Sequence, residues 1–229
     1  MPMWFGNQPV YRTPDARRAL NNTKIKAREI ACHEELPLRE DSKDVKLRDL
    51  DDICKKAIAT LIACQVACDT NAGKYQESIE FFKRPIRKYR CADHFTAKEK
   101  RVMDGTASEQ DVVDVAWGYE TYWALCWALR LVQDIEMPSQ TCDCDRAIKI
   151  VFDCKDLNDF RRFTKIRDID EILDMLDLYY RYHWACVEKR INPETKIGEL
   201  NEEVVAERRK GLEWLVSDVE DWDDISLDT

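Results

Sequence analysis

The segment from Ala116 to Leu131 most constrains what this chain can fold into, because it combines three tryptophans with a single carboxylate. At the α-helical repeat of about 100° per residue, one face holds Trp117, Glu120, Ala124, Trp127, Ala128 and Leu131. A carboxylate among large apolar groups must be neutralised by a cation or lose its charge. The sequence therefore predicts a buried helix whose buried carboxylate pairs with a cation from elsewhere in the chain.

The rest of the chain also favours helices. Only 6 glycines and 7 prolines occur in 229 residues, and no segment alternates apolar and polar residues with a period of two. These features predict an all-α fold, a single compact domain of about seven to nine helices around a central Trp-rich helix. We place the helical domain at residues 13–217, after an N-terminal arm at 1–12 and before an acidic C-terminal tail at 218–229.

Capping signals set most of the predicted helix bounds. Thr96 with Glu99 and Ser108 with Asp111 have the spacing of capping boxes, and Thr13 precedes a proline suited to a first helical position. Combined with apolar periodicity, these signals predict helices over residues 13–32, 47–71, 75–89, 96–105, 108–137, 143–154, 170–191 and 201–217.

Charge and composition limit the possible partners and the location. A net charge of -9 disfavours a nucleic acid as partner. The longest apolar run, residues 57–68, is too short to cross a bilayer, which takes about 20 residues, so no membrane contact is expected. Residues 1–10 do not resemble an export signal, and ten cysteines in a chain of this length indicate reduced thiols. We expect a cytoplasmic protein; the oligomeric state is not indicated.

Several blocks of residues carry a family resemblance. They include Leu47-Arg48-Asp49-Leu50, Trp127-Ala128-Leu129, Cys142-Asp143, Ile172-Leu173-Asp174, Tyr180-Arg181, Glu207-Arg208, Trp214-Leu215 and Trp222-Asp223-Asp224. With these blocks, over most of its length, the chain resembles the bacterial family called domain of unknown function 4272 (DUF4272). The resemblance implies a single cytoplasmic bacterial domain and no particular activity. Arg209 stands where the resemblance implies a histidine, and Gly118 where it implies a larger residue.

Five charged residues form a candidate buried polar hub: Glu120, Asp174, Asp177, Arg181 and Arg208. Asp174, Asp177 and Arg181 share one strip of the 170–191 helix, and Arg208 shares an apolar stripe with Val204 and Leu212. Because a buried guanidinium and a buried carboxylate each need a partner, we expect Arg208 to pair with Glu120, Asp174 or Asp177.

Two interpretations of these carboxylates remain open. The favoured one is structural, with Asp177 paired to Arg181 along the helix. In the other, Asp174, Asp177 and Glu120 bind Mg²⁺ or Mn²⁺. His183 lies on the opposite side of its helix from Asp174, so we expect a hydrogen-bonded core or interface histidine. Four tryptophans form a candidate apolar wall for a site: Trp117, Trp127, Trp184 and Trp214.

The cysteines give weaker indications. Cys54, Cys64 and Cys68 share the apolar stripe of one helix and are expected to act as small hydrophobic residues. Cys142, Cys144 and Cys154 lack the doubled spacing of zinc sites, although they could serve a thiol sensor.

The acidic tail and the absence of a catalytic motif lead to the functional hypotheses. We expect Trp222 to dock on its own domain, with docking on a partner as the alternative. The leading hypothesis is a non-catalytic protein-interaction or inhibitory module that needs no cofactor and has a protein partner. The alternative is a Mg²⁺- or Mn²⁺-dependent hydrolase of a phosphorylated small molecule or nucleotide, with Arg181 or Arg208 binding phosphate.

Overall fold

A computed structural model describes residues 11–229, which form nine α-helices and no strand. The helices are Pro14–Ala27 (α1), Leu50–Asn71 (α2), Tyr75–Tyr89 (α3), Ala97–Asp104 (α4), Glu109–Ala128 (α5), Cys144–Phe152 (α6), Leu157–Arg162 (α7), Ile169–Ile191 (α8) and Glu202–Val216 (α9). Short 3-10 turns cover Ala92–His94 and Trp222–Asp224. The predicted all-α single domain is confirmed. All but the last two residues of the predicted N-terminal arm lie outside the described residues.

The three helices with the quoted capping signals, α1, α4 and α5, begin where predicted, whereas α2 begins at Leu50 rather than at residue 47, because Asp49 is its N-cap. The Thr96 hydroxyl accepts from the Glu99 amide while the Glu99 carboxylate accepts from the Thr96 amide, and Ser108 and Asp111 do the same at α5. Local side-chain chemistry therefore determines the starts of α4 and α5.

Two helices end earlier than predicted, and both ends have left-handed backbone. α1 ends at Ala27 rather than Cys32 because Glu29 adopts a φ of 56° and the chain turns back on itself. α5 ends at Ala128 because Arg130 has a φ of 60°, and the Leu131 amide then donates to the Cys126 carbonyl. Leu131, predicted on the tryptophan face, therefore lies beyond the helix. α7 was not predicted.

The core is built on the contact between α2 and α5. α9 packs against α5, α8 against α9, and α1 against α8, while α3 covers α2. An added Cβ at Gly211 would lie 2.8 Å from the Thr121 carbonyl oxygen, so α9 approaches the α5 backbone closely because it has glycine there. α2 is buried as completely as α5, and the prediction of one central Trp-rich helix is not confirmed.

Contacts of α1 differ from those of the inner helices. Its buried side chains are Arg17, Asn21, Asn22 and Ile25, so three of the four are polar. α1 therefore joins α8 mainly through charges and amides.

All ten cysteines are unpaired thiols. Cys54 and Cys64 are buried as predicted, whereas Cys68 is exposed because it follows the last buried turn of α2. None of the helices in residues 11–229 combines the length and the apolar character needed to cross a membrane.

Candidate functional site

The carboxylate of Glu120 is 2 % exposed and is paired as the sequence predicts. One oxygen accepts from Arg208 Nε at 2.9 Å, and the other accepts from the Cys142 amide at 2.6 Å. Burial lowers the pKa of Arg208, but Tyr179 and Glu120 outweigh that effect and hold the pKa above its ordinary value. Both oxygens of the buried Glu120 carboxylate thus accept a hydrogen bond, one from the Arg208 guanidinium and one from a backbone N–H.

Asp177 and Arg181 form a second, separate pair. Arg181 Nε and Nη2 donate to Asp177 at 2.9 and 2.8 Å, and Asn21 donates to the same carboxylate at 2.8 Å. The expected pairing along α8 is confirmed. The five charged residues of the predicted hub do not form a single cluster. Arg208 contacts α8 through Tyr179, and Tyr179 lies two positions from Asp177, on the opposite side of that helix.

Asp174 lies in the same cluster as Asp177, and its cationic partners come from the N-terminal part of the chain. It accepts from Arg17 Nε at 3.0 Å and also from Arg12. Arg17 is fully buried and donates to Asp170 as well, at 3.1 Å. Both aspartates of the strip are therefore occupied by groups of α1 and α8.

The proposed metal ligands are not brought to one point. Asp174 and Asp177 share one cluster, and Glu120 lies in the other. No group of three or more His, Cys, Asp or Glu side chains in residues 11–229 is arranged to hold a metal ion. The Mg²⁺- or Mn²⁺-dependent hydrolase thus stays a prediction that lacks an assembled ligand set in this part of the chain.

The four tryptophans of the predicted wall are dispersed. Trp127 lies under the Arg167 guanidinium, 4.5 Å from its ring centroid, whereas half-buried Trp184 contacts His33 edge-on at 5.4 Å. Trp117 is half-buried on α5. Only Trp214 lies in the cleft described next, and its partner there is Trp222, with centroids 5.9 Å apart.

The C-terminal tail docks on its own domain, as the favoured prediction stated. Trp222 is 4 % exposed and fills a slot between Trp214 of α9 and Lys56 of α2. Lys56 Nζ lies 3.8 Å from the indole centroid and 2.8 Å from the buried Glu99 carboxylate. The tail residue therefore covers a buried ion pair.

The main chain of the tail is bound on both sides of Trp222. Before it, Arg48 donates to the Ser217 carbonyl at 2.8 Å and to the Val219 carbonyl, and Trp214 Nε1 donates to the Glu220 carbonyl at 3.1 Å. Next to it, the Asp221 carboxylate accepts from the Ala97 amide, the first of α4, at 2.8 Å. We call the surface formed by Arg48, Lys56, Ala97, Arg209 and Trp214 the tail groove.

Arg209 binds the end of the tail. This guanidinium is 1 % exposed and donates to the carbonyls of Leu227 at 2.9 Å and Asp228 at 3.0 Å. It also lies 2.7 Å from His183 Nδ1. Burial, then Arg209, lowers the pKa of His183 to about 4, so this imidazole is neutral at pH 7 and accepts from Arg209. The predicted role of His183 as a hydrogen-bonded core residue is confirmed.

Space remains beside the bound tail. A cavity of about 500 Å³ is bounded by Glu220 and Asp221 on the tail side and by Arg48, Lys56 and Lys100 on the other. The groove thus combines an indole slot, cations and backbone donors with unfilled volume.

Sequence reasoning missed Arg48, Lys56 and Arg209 as tail ligands. Lys56 lies beside the apolar stripe of α2, and only the structure shows that it is 3 % exposed. Arg209 stood out only as a departure from the histidine that the family resemblance implied.

Comparison with known proteins gives the family. Searches of curated proteins and of solved structures find no match. The model of the family described as "Domain of unknown function (DUF4272)" matches residues 17–225, which include every helix from α2 to α9 and Trp222. The chain therefore belongs to the DUF4272 family.

Proposed function

We propose that this protein is a non-catalytic protein-interaction module whose tail groove recognises an acidic peptide containing a tryptophan. Its own tail, with six acids and no base in residues 218–229, is the intramolecular occupant. The observation that carries the proposal is the way the tail is bound. Main-chain carbonyls, one indole and the carboxylates of Asp221 and Asp223 make the contacts, and a separate peptide offers the same groups.

The covalent connection favours the tail over a competitor. A short flexible connection gives an effective concentration of about 1 mM. If the free peptide binds the groove with a Kd of about 10 μM, the attached tail leaves the groove open only about 1 % of the time. A partner peptide would then bind the intact protein about 100-fold more weakly than it binds an open groove. In this proposal the tail sets a threshold for partner binding.

The setting that we propose is the cytoplasm of a bacterium, with no cofactor. Ten unpaired cysteines support a reducing compartment.

The test is binding of a fluorescent peptide with the sequence of residues 218–229 to the full chain and to its Trp222→Ala variant. We expect weak binding to the wild type and much tighter binding to Trp222→Ala, because an indole in a buried slot dominates such contacts. Asp224→Ala is the matched control, because Asp224 is exposed and should leave the wild-type affinity unchanged. Fluorescence anisotropy measures each Kd.

A second peptide, with alanine in place of its tryptophan, tests recognition itself. The proposal is wrong if the folded Trp222→Ala protein binds the tail peptide no better than the wild type does, or binds both peptides equally.

A further inference from the structure

The α3 helix borders a second cavity, which the tail does not touch. It has a volume of about 530 Å³ and lies where α3 meets the end of α2 and α6. Four side chains make its walls mainly apolar: Phe81, Phe82, Ile148 and Phe152. It shares no residue with the tail groove.

Phe81 marks the mouth of this cavity. It is 64 % exposed, whereas its neighbour Phe82 is 4 % exposed and packs against Phe152. Two other large apolar residues of the described chain are equally exposed, Phe163 and Ile191, but neither lines this cavity or the one beside the tail. An exposed aromatic ring beside an apolar cavity is typical of a binding surface.

Three arginines of α3 and its C-terminal end lack side-chain partners among the described residues, whereas Lys83 pairs with Glu80 and Lys88 donates to the Cys154 carbonyl. Arg84, Arg87 and Arg90 are exposed, and no side-chain hydrogen bond, ion pair or aromatic contact joins them to any residue of 11–229. Every other arginine in that range contacts a carboxylate, a carbonyl oxygen or an aromatic ring, as Arg146 does with Trp123. The unpartnered arginines of the described chain are thus concentrated at one helix.

The local charge differs from that of the whole protein. Residues 74–90 contain six bases and two acids, although the chain as a whole has a net charge of -9. Phe81, Arg84 and Arg87 follow one another at intervals of three residues, so they are neighbours along the exposed side of α3. Arg84 and Arg87 therefore extend along α3 from Phe81 at the mouth of the cavity.

We infer that this surface, formed by the cavity with Phe81, Arg84, Arg87 and Arg90, docks an acidic amphipathic segment of another protein. An apolar side chain of that segment fills the cavity, and its carboxylates pair with the arginines. We call this surface the α3 face.

A peptide fits these features better than a nucleic acid does. The cavity walls are mainly apolar, and the carboxylates of Asp69 and Glu77 also line it, where they repel a phosphate backbone. Carboxylates that alternate with apolar residues can avoid those two groups and still reach Arg84 and Arg87.

The test uses a random-peptide display library selected on the full-length wild-type protein, followed by calorimetry with the enriched peptides. We expect enriched peptides that combine a large apolar residue with Asp or Glu. Their Kd should rise at least about tenfold in Phe81→Ala and in the double variant Arg84→Glu/Arg87→Glu.

Matched controls separate this surface from other exposed groups and from the tail groove. Phe163→Ala and Arg162→Glu change similarly exposed residues elsewhere, and Trp222→Ala opens the tail groove; none should weaken binding of these peptides. The inference is overturned if no enriched peptide loses affinity in the α3 variants, or if such peptides lack acids. It is also overturned if a single-stranded RNA binds the same face more tightly than every peptide.

Discussion

Replacing Glu120 by alanine tests the electrostatic core of this fold. The substitution removes the only carboxylate bound to Arg208 among the described residues and leaves that guanidinium, 4 % exposed, with the Gln140 carbonyl and the Tyr179 hydroxyl. It also removes the acceptor of the Cys142 amide. The Arg208 guanidinium then lacks a carboxylate partner, and the Cys142 amide lacks an acceptor, in a part of the protein that is buried from water.

The size of the effect follows from those two losses. Leaving one charge of a buried ion pair unanswered costs about 3–5 kcal/mol, and an orphaned backbone N–H costs about 1–3 kcal/mol. Because one carboxylate serves both groups, the costs overlap, and we expect the free energy of unfolding to fall by about 5 kcal/mol. Glu120→Gln keeps an acceptor oxygen, so its loss should be smaller, about 2–3 kcal/mol.

Urea unfolding followed by tryptophan fluorescence measures this change. With a slope of about 3 kcal/mol/M, the midpoint of Glu120→Ala should fall by about 1.7 M. Glu171→Ala is the matched control: Glu171 is 37 % exposed and pairs with equally exposed Arg130 and, at 3.4 Å, with Arg167, so its loss should cost under about 1 kcal/mol. A Glu120→Ala midpoint within about 0.2 M of the wild type would refute the reasoning.

Three further outcomes are expected. The pKa of His183 is about 4 in the folded protein and about 6.5 in the unfolded chain, so the unfolded chain binds more protons between these pH values. The free energy of unfolding should therefore fall by about 3 kcal/mol on acidification from pH 7 to 4. Urea titrations across this pH range should show a smaller dependence on pH for His183→Asn. Gly211→Ala should destabilise by about 2–3 kcal/mol in thermal melts, because its Cβ meets the Thr121 carbonyl, whereas an unchanged Tm would contradict this close approach. A thiol reagent followed by mass spectrometry should modify exposed Cys68 and Cys144 first in the folded protein; early modification of buried thiols would contradict their placement.

The starts of the helices were predictable because their causes are local. Thr96 and Ser108 bind amides only three residues away, and the sequence shows both partners. The ends of α1 and α5 were not predictable in the same way. Glu29 and Arg130 take a left-handed backbone that usually signals glycine, and nothing at those positions in the sequence indicates it.

The polar clusters also combine features that the sequence predicts with features that only the fold determines. The sequence predicted that Arg208 pairs with Glu120, Asp174 or Asp177, because a buried charge on an apolar stripe needs a partner, and the structure shows that the partner is Glu120. The sequence also predicted the Asp177–Arg181 pair, whose members are one helical turn apart. That these pairs form separate clusters depends on which helices face the two sides of α8, and a single sequence does not contain that information.

The tail groove shows where sequence reasoning ends. A buried position for Trp222 was predictable, since an exposed tryptophan near a terminus is unfavourable in water. Its ligands were not: Arg48 and Lys56 come from the first third of the chain, and Ala97 and Arg209 from other helices. Only the fold brings these residues to one surface.

Because α1 attaches to α8 mainly through polar contacts, α1 should open locally more readily than the helices of the apolar core. Arg17 and Asn21 bind aspartates of α8, and such contacts contribute little hydrophobic free energy to keeping α1 in place. Guanidinium salts screen and compete for these carboxylates, whereas urea does not. Amide protons of α1 should therefore exchange through a local opening event that guanidinium promotes, while those of α2 and α5 exchange only when the whole domain unfolds.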